Sequence, residues 1–66
     1  MQTLKNRRAE RGLTVADLSK RSGVSRAAIM QLERGENDPR LSTLRGLAKG
    51  LGCTVSELIE NEVHIV

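Results

Sequence analysis

The chain has 66 residues, room for one small compact domain, and it contains no aromatic residue, so any core is built from aliphatic side chains. The single cysteine, Cys53, excludes an intramolecular disulfide and a cysteine metal cluster. Eleven basic and eight acidic side chains give a formal net charge of +3.

The basic residues are concentrated in the first half of the chain. Residues 1–34 carry eight basic and three acidic side chains, whereas residues 35–66 carry three basic and five acidic ones. A basic half of this kind favours a polyanionic partner such as nucleic acid. Ordinary solvated lysines and arginines explain the charge alone equally well.

The sequence shows no pattern typical of a membrane segment or an active site. The N-terminal residues are charged and polar, and no apolar run approaches the roughly 18 residues that span a bilayer. His64 is the only histidine, and no glycine-rich phosphate loop is present. We therefore expect a cytoplasmic chain that is not an enzyme and has no metal, cofactor, membrane contact or small-molecule ligand.

The first predicted helix covers residues 2–11 and ends at Gly12, a residue type typical of a left-handed C-terminal cap. Its apolar content is low, with Leu4 and Ala9 as the main contributors. We expect this helix to lie over the others with its basic side in water.

Two short helices joined by a tight turn are predicted over about residues 15–34. Thr14 and Asp17 form a variant capping box for the first, which ends at Gly23. Ser25 is the predicted N-cap of the second, and Gly35 ends it. The residues expected to face inward are Leu18, Ile29 and Leu32. This spacing is typical of a helix-turn-helix, in which the second helix can enter the DNA major groove.

Two further helices are predicted after a loop that contains Pro39. The fourth begins near Ser42 and has apolar residues at helical spacing, namely Leu44, Leu47, Ala48 and Leu51. Its glycines, Gly46 and Gly50, weaken it by roughly 1 kcal/mol each or permit a close helix approach. Thr54 and Glu57 form a capping box that opens the fifth helix.

The predicted domain organisation is one all-α, five-helix bundle over residues 1–60 and a tail over residues 61–66. In the tail, Val63, Ile65 and Val66 alternate with His64 in a pattern that favours a short strand. A lone strand must pair, so the tail is either frayed or pairs with a second subunit. On this second interpretation, a dimer surface is predicted from Leu51, Val63, Ile65 and Val66.

The absence of aromatic residues also bears on the type of nucleic acid. Single-stranded DNA and RNA are usually held by stacking bases on aromatic side chains. A helix in a duplex groove needs only polar groups for base edges and phosphates. The composition therefore favours a duplex partner.

Five motifs resemble the phage-repressor family of helix-turn-helix domains, of the Cro, C1 or XRE type. They are R-x-x-R-G-L-T (8–14), L-S-K-R-S-G-V-S (18–25), I-x-Q-L-E-R-G (29–35), P-x-L-x-T-L (39–44) and L-A-x-x-L-G-x-T-x-x-E-L (47–58). Their order and spacing cover nearly the whole chain. The resemblance implies a five-helix, lambda-repressor-like bundle that binds operator DNA, encoded by a bacterium or phage.

The resemblance also implies residue roles. The positions matched to base contacts are Ser25, Arg26, Ala27, Met30 and Gln31. Arg26 suits a bidentate contact to guanine, Gln31 one to adenine, and the Ala27 methyl suits thymine. The positions expected to contact the backbone or minor groove are Arg8, Thr14, Lys20, Arg34 and Arg40. Thr14 and Lys20 are included because Val15 replaces a glutamine that commonly contacts a phosphate. Arg8 and Glu33 match a structural ion pair.

The functional expectation is a sequence-specific transcriptional regulator, a repressor or autoregulatory controller, acting as a homodimer on a palindromic operator. The alternative is a protein-interaction adaptor or antitoxin module with the same fold.

Overall fold

The computed structural model describes residues 1–59, which form five helices. These are α1 (Gln2–Glu10), α2 (Val15–Ser22), α3 (Arg26–Arg34), α4 (Leu41–Leu51) and α5 (Val55–Ile59). The predicted all-α architecture is confirmed for this part of the chain. The strand predicted in the tail lies outside the described residues. No helix within residues 1–59 is both long and apolar enough to cross a bilayer.

The starts of α2 and α5 are set by local hydrogen bonds that the sequence predicts. In both capping boxes the threonine hydroxyl accepts from the N–H three residues later, and that residue's carboxylate accepts from the threonine N–H. The four donor–acceptor distances are 3.0–3.1 Å, for the pairs Thr14–Asp17 and Thr54–Glu57. These bonds satisfy N–H groups that a helix start leaves without a partner.

The core is aliphatic and receives side chains from every helix. Its fully buried members are Leu4, Leu18, Ile29, Leu32, Leu47, Ala48, Leu51 and Leu58. Helix α2 packs against both α3 and α4, while α1 packs against α3 and α5. Helix α2 therefore holds α3 on one side and is itself held by α4 on the other.

The crossing of α2 and α4 depends on two glycines. A Cβ atom added at Gly46 would lie 2.9 Å from the backbone oxygen of Ser22. One added at Gly50 would lie 3.1 Å from Cβ of Ser22 and 3.2 Å from Cδ1 of Leu18. The glycines thus allow the close helix approach that was one of the two sequence-based interpretations.

Helix α1 buries more of its basic side than its composition suggests. It ends at Glu10, and its C-cap, Arg11, is right-handed, although the following Gly12 is left-handed with φ of 65°. Arg7 is half-buried and its Nη2 donates to the carbonyl oxygen of Glu57 at 3.2 Å. The expectation that the basic side of α1 lies in water is therefore wrong for Arg7, and also for the half-buried Arg8.

Helix α4 begins at Leu41, in agreement with the predicted start near Ser42, and Leu41 is 56% exposed. Leu51, predicted as part of a dimer surface, is only 1% exposed because it packs in the core. A side chain buried within its own domain has no surface to offer a partner, so Leu51 is removed from that prediction.

Candidate nucleic-acid interface

The turn between α2 and α3 is closed by short-range hydrogen bonds. Gly23 ends α2 in the left-handed region with φ of 75°, and its N–H donates to Ser19 O at 2.9 Å. The Ser22 hydroxyl accepts from Val24 N at 3.2 Å, and the Ser25 hydroxyl accepts from Ala28 N at 3.2 Å. Because a left-handed residue and two side-chain bonds close this turn, α3 leaves it in a defined direction.

Helix α3 has one buried face and one exposed face. Ile29 and Leu32 are buried against the core, at 0% and 3% exposure. The exposed side chains of the helix are Arg26, Ala27, Met30 and Arg34, with Gln31 half-buried at their edge. The N-cap Ser25 is also exposed. All five residues predicted to contact bases therefore lie on α3 or at its start, and the structure brings them to the solvent side.

The two strongest candidates for base recognition differ in their surroundings. The Arg26 guanidinium has no hydrogen-bond or salt-bridge partner within residues 1–59, so all its donors are available to a ligand. The Gln31 side chain, by contrast, is already engaged: its Oε1 accepts from Nδ2 of Asn37 at 2.7 Å. Sequence reasoning missed Asn37; its position two residues after the helix-ending Gly35 was the available signal.

The predicted ion pair between Arg8 and Glu33 is confirmed. Nε and Nη2 of Arg8 donate to the two carboxylate oxygens of Glu33 at 2.7 and 3.0 Å, and Nη1 donates to Leu13 O at 2.8 Å. The hydrogen bonds that Arg8 donates to Glu33 raise the pKa of the Arg8 guanidinium, and burial opposes them. The bidentate contact joins α1 to α3, and the bond to Leu13 O joins α1 to the loop before α2.

The other predicted backbone contacts are exposed, but they are not equally available. Arg34 lies 3.6 Å from Glu36 in an exposed ion pair, and the hydroxyl of Thr14 is used in the capping box. Lys20 and Arg40 have no salt bridge or hydrogen bond from their side chains among residues 1–59. Of these four residues, Lys20 and Arg40 can therefore meet a phosphate without breaking a contact within residues 1–59.

An open depression of about 280 Å³ lies beside the exposed face of α3. It is lined by Lys5, Arg8, Val15, Met30, Glu33 and Arg34. This arrangement places the first residue of α2, basic side chains of α1 and the exposed apolar side chain of Met30 around one space. Lys5 was not predicted as a site residue; its spacing of three from Arg8, one helical turn along α1, was the signal.

Similarity to known proteins agrees with this geometry. The chain is 39% identical over 59 residues to the HTH-type transcriptional regulator DdrOP3 of Deinococcus deserti, covering 89% of this chain and 46% of the relative. It is 38% identical over 64 residues to the immunity repressor protein of Bacillus phage phi105, covering 97% of this chain and 44% of the relative. The chain thus spans less than half the length of these two relatives.

A solved structure has the same fold. The crystal structure of a helix-turn-helix family transcriptional regulator from Vibrio cholerae superposes with a TM-score of 0.85 at 39% sequence identity. The match covers 92% of this chain and 34% of the Vibrio chain. The profile of the helix-turn-helix family matches residues 4–58, which span α1 to α5 except for the ends of the first and last helices. The chain therefore belongs to the helix-turn-helix family.

Proposed function

We propose that this chain is a sequence-specific, double-stranded DNA-binding module of a transcriptional regulator. The observation that carries the proposal is the exposed face of α3. It presents Arg26, which has no hydrogen-bond or salt-bridge partner among residues 1–59, next to Ala27 and Met30, on a helix anchored in the core by Ile29 and Leu32. A rigid helix with polar and small exposed side chains suits the major groove.

Within this proposal each exposed residue has a role. Arg26 and Gln31 read base edges, the Ala27 methyl contacts a thymine methyl, and Ser25 and Met30 lie at the edges of the reading surface. The proposed phosphate or minor-groove contacts are Thr14, Lys20, Arg34, Arg40 and a remaining N–H of Arg8. To these we add Lys5, because it lines the depression beside α3.

The finer part of the proposal is a homodimer that represses transcription, or its own expression, at a palindromic operator in the cytoplasm. One copy of α3 reads one half-site, and a two-fold dimer places two copies about 34 Å apart, one DNA turn. The residues proposed to join the subunits are Val63, Ile65 and Val66, which lie outside the described part of the chain.

The first experiment measures DNA binding and its dependence on salt. Fluorescence anisotropy with a duplex pool of about 25 random base pairs, long enough for two half-sites about 10 base pairs apart, is titrated at several salt concentrations. We expect log affinity to fall linearly with log salt, at a slope of about −0.9 per neutralised phosphate. Undetectable binding at low salt would overturn the proposal.

A matched pair of arginine variants then separates base reading from charge. Rounds of selection from the same pool give the preferred sequence for the wild type. Arg26→Ala is expected to weaken binding to that sequence by about 1–3 kcal/mol and to reduce the discrimination between bases at one base pair. Arg45→Ala removes the same charge from an exposed position on α4. Equal losses for both variants, uniform across sequences, would make Arg26 a phosphate contact.

Selection and sedimentation test the dimer. A palindromic selected motif is expected, and deleting residues 62–66 is expected to weaken self-association in sedimentation velocity. A dimer constant unchanged by the deletion would remove the tail from the interface and leave the DNA-binding proposal intact.

The second candidate function is a protein-interaction module, and exposed apolar side chains favour it. Leu41 is 56% and Met30 42% exposed, and neither is needed to bind phosphates. The two candidates differ in the salt titration, because only the DNA-binding module shows a steep salt dependence with duplex.

A further inference from the structure

The turn after α3 folds back onto the last part of the helix. Gly35 is left-handed with φ of 76°, its N–H donates to Leu32 O at 3.1 Å, and Glu36 N donates to Gln31 O at 2.9 Å. This pair of bonds is a Schellman motif. It returns the chain toward Gln31, so that Nδ2 of Asn37 donates to Oε1 of Gln31 at 2.7 Å. Gln31 is thus held through both its backbone carbonyl and its side chain.

This side-chain bond makes the two ends of the Gln31 amide differ, because it takes one of the two lone pairs of Oε1 and no hydrogen of Nε2. Oε1 already accepts one hydrogen bond, while Nε2 has no hydrogen-bond partner within residues 1–59. Nε2 carries two donor hydrogens and no acceptor. A bidentate contact to adenine uses both ends of the amide, since Oε1 must accept from N6 with its second lone pair while it still accepts from Asn37. A contact to guanine uses only donors, because N7 and O6 are both acceptors.

We propose that Asn37 is a positioning residue for Gln31: it orients the Gln31 amide so that Nε2 reads guanine in preference to adenine. The inference rests on the proposed function, because it assigns a base preference to one residue of that surface. Asn37 acts through Gln31 and needs no DNA contact of its own. The two residues form one reading unit, built from α3 and the turn that ends it.

The test compares base preference across four variants with the duplex pool of about 25 random base pairs. Gln31→Ala identifies the base pair that Gln31 reads, as the position where discrimination falls roughly tenfold. At that position the wild type is expected to prefer guanine over adenine. Asn37→Ala is expected to reduce this preference about three- to tenfold, the range of one hydrogen bond.

Asn37→Asp sharpens the test by reversing the hydrogen bond. An aspartate at this position only accepts, so it takes a hydrogen bond from Nε2 and leaves Oε1 of Gln31 available to N6 of adenine. The expected result is a change of preference from guanine to adenine. The added negative charge weakens binding to all sequences alike and cancels in the ratio of the two affinities.

The control is Asn6→Ala. It removes an equivalent exposed bond, in which Nε2 of Gln2 donates to Oδ1 of Asn6 at 3.1 Å on α1. This variant is expected to leave the guanine-to-adenine ratio unchanged, and thermal unfolding of all variants checks that they fold.

The failure of this inference is distinguishable from failure of the proposed function. A wild type that selects a motif but prefers adenine at the Gln31 position overturns the inference alone. The inference is also overturned if Asn37→Ala and Asn37→Asp leave the guanine-to-adenine affinity ratio unchanged. It is overturned as well if Gln31→Ala selects the same motif as the wild type. If the wild type selects no motif, or binds duplex without salt dependence, the proposed function itself fails.

Discussion

The crossing of α2 with α4 and the exposed face of α3 use small residues for opposite purposes. At the crossing, Gly46 and Gly50 are small because a Cβ atom would meet Ser22 or Leu18 within about 3 Å. On the face of α3, Ala27 is small and exposed, so the space beside it is open to a ligand.

The crossing therefore contributes to stability, and the exposed face of α3 is available for recognition. Helix α2 forms the crossing with α4 and also packs against α3, the helix that carries the exposed face. Substitutions at the crossing therefore disturb the support of α3 as well as the core. Substitutions on the exposed face of α3 change what the helix contacts and leave its support in place.

The largest expected effect is on stability, from Leu18→Ala. Leu18 is fully buried where α2 meets α4, and truncating such a leucine costs about 2–5 kcal/mol. Because small domains are only marginally stable, we expect the variant to be largely unfolded at room temperature. Thermal and denaturant unfolding followed by circular dichroism measures this. The control, Ala27→Ser on the exposed face, is expected to change stability by less than about 0.5 kcal/mol.

The next effect concerns the pair of Arg8 and Glu33, which joins α1 to α3 beside its exposed face. Glu33→Gln is expected to lower stability by about 1–3 kcal/mol, because it leaves a half-buried guanidinium without its carboxylate. Glu36→Gln is the matched control, since it removes the exposed ion pair with Arg34 at 3.6 Å and is expected to change stability by at most about 0.5 kcal/mol. Equal losses from the two variants would show that Arg8 has no special structural role.

Gly46→Ala tests the crossing with a single methyl group. In an open helix this change adds about 1 kcal/mol of stability. At the crossing, the new Cβ would lie 2.9 Å from a backbone oxygen of Ser22, so we expect a net loss of about 1–2 kcal/mol. Ser42→Ala, an exposed position on the same helix, controls for helix propensity. An increase in the stability of Gly46→Ala would contradict the close approach.

The smallest effect concerns pH and the start of α2. Hydrogen bonds from the backbone N–H and the side chain of Thr14 lower the pKa of Asp17 below its ordinary value. Because the pKa of this carboxyl is lower in the folded state, its contribution to stability is present above the unfolded pKa and is lost as pH falls through the folded pKa. Thr14→Ala removes the hydroxyl but keeps the backbone N–H, so it is expected to raise the pKa of Asp17 only part of the way toward its ordinary value. Loss of the N-cap hydrogen bond from Asp17 N is expected to lower stability by about 1 kcal/mol.

An NMR titration of the Asp17 carboxyl in both proteins measures this shift. The carboxyl of Glu57, whose pKa is lowered by Thr54 in the same way, serves as the internal control and is expected to titrate alike in the two proteins. Identical titration of Asp17 in the wild type and Thr14→Ala would contradict the contribution of the Thr14 side chain and leave the backbone N–H as the cause.

Features that depend on neighbours in the chain were readable from the amino-acid sequence. Both capping boxes, the turn at Gly23 and the helix end at Gly35 form through contacts spanning at most five residues, so residue type and spacing are enough to predict them. The inward positions of Ile29 and Leu32 follow from the helical period in the same way. The pairing of Arg8 with Glu33 came from family resemblance, since the two residues are 25 apart.

Features that depend on how distant segments meet required the folded structure. Leu44, Leu47 and Leu51 share one helical stripe, yet the packing of α4 leaves Leu44 half-buried and buries Leu47 and Leu51, which removed Leu51 from the predicted dimer surface. Arg7 reaches the carbonyl of Glu57, 50 residues away, because α1 packs against α5. Periodicity predicts which side of a helix is apolar, but which neighbour covers that side depends on contacts between segments far apart in the chain.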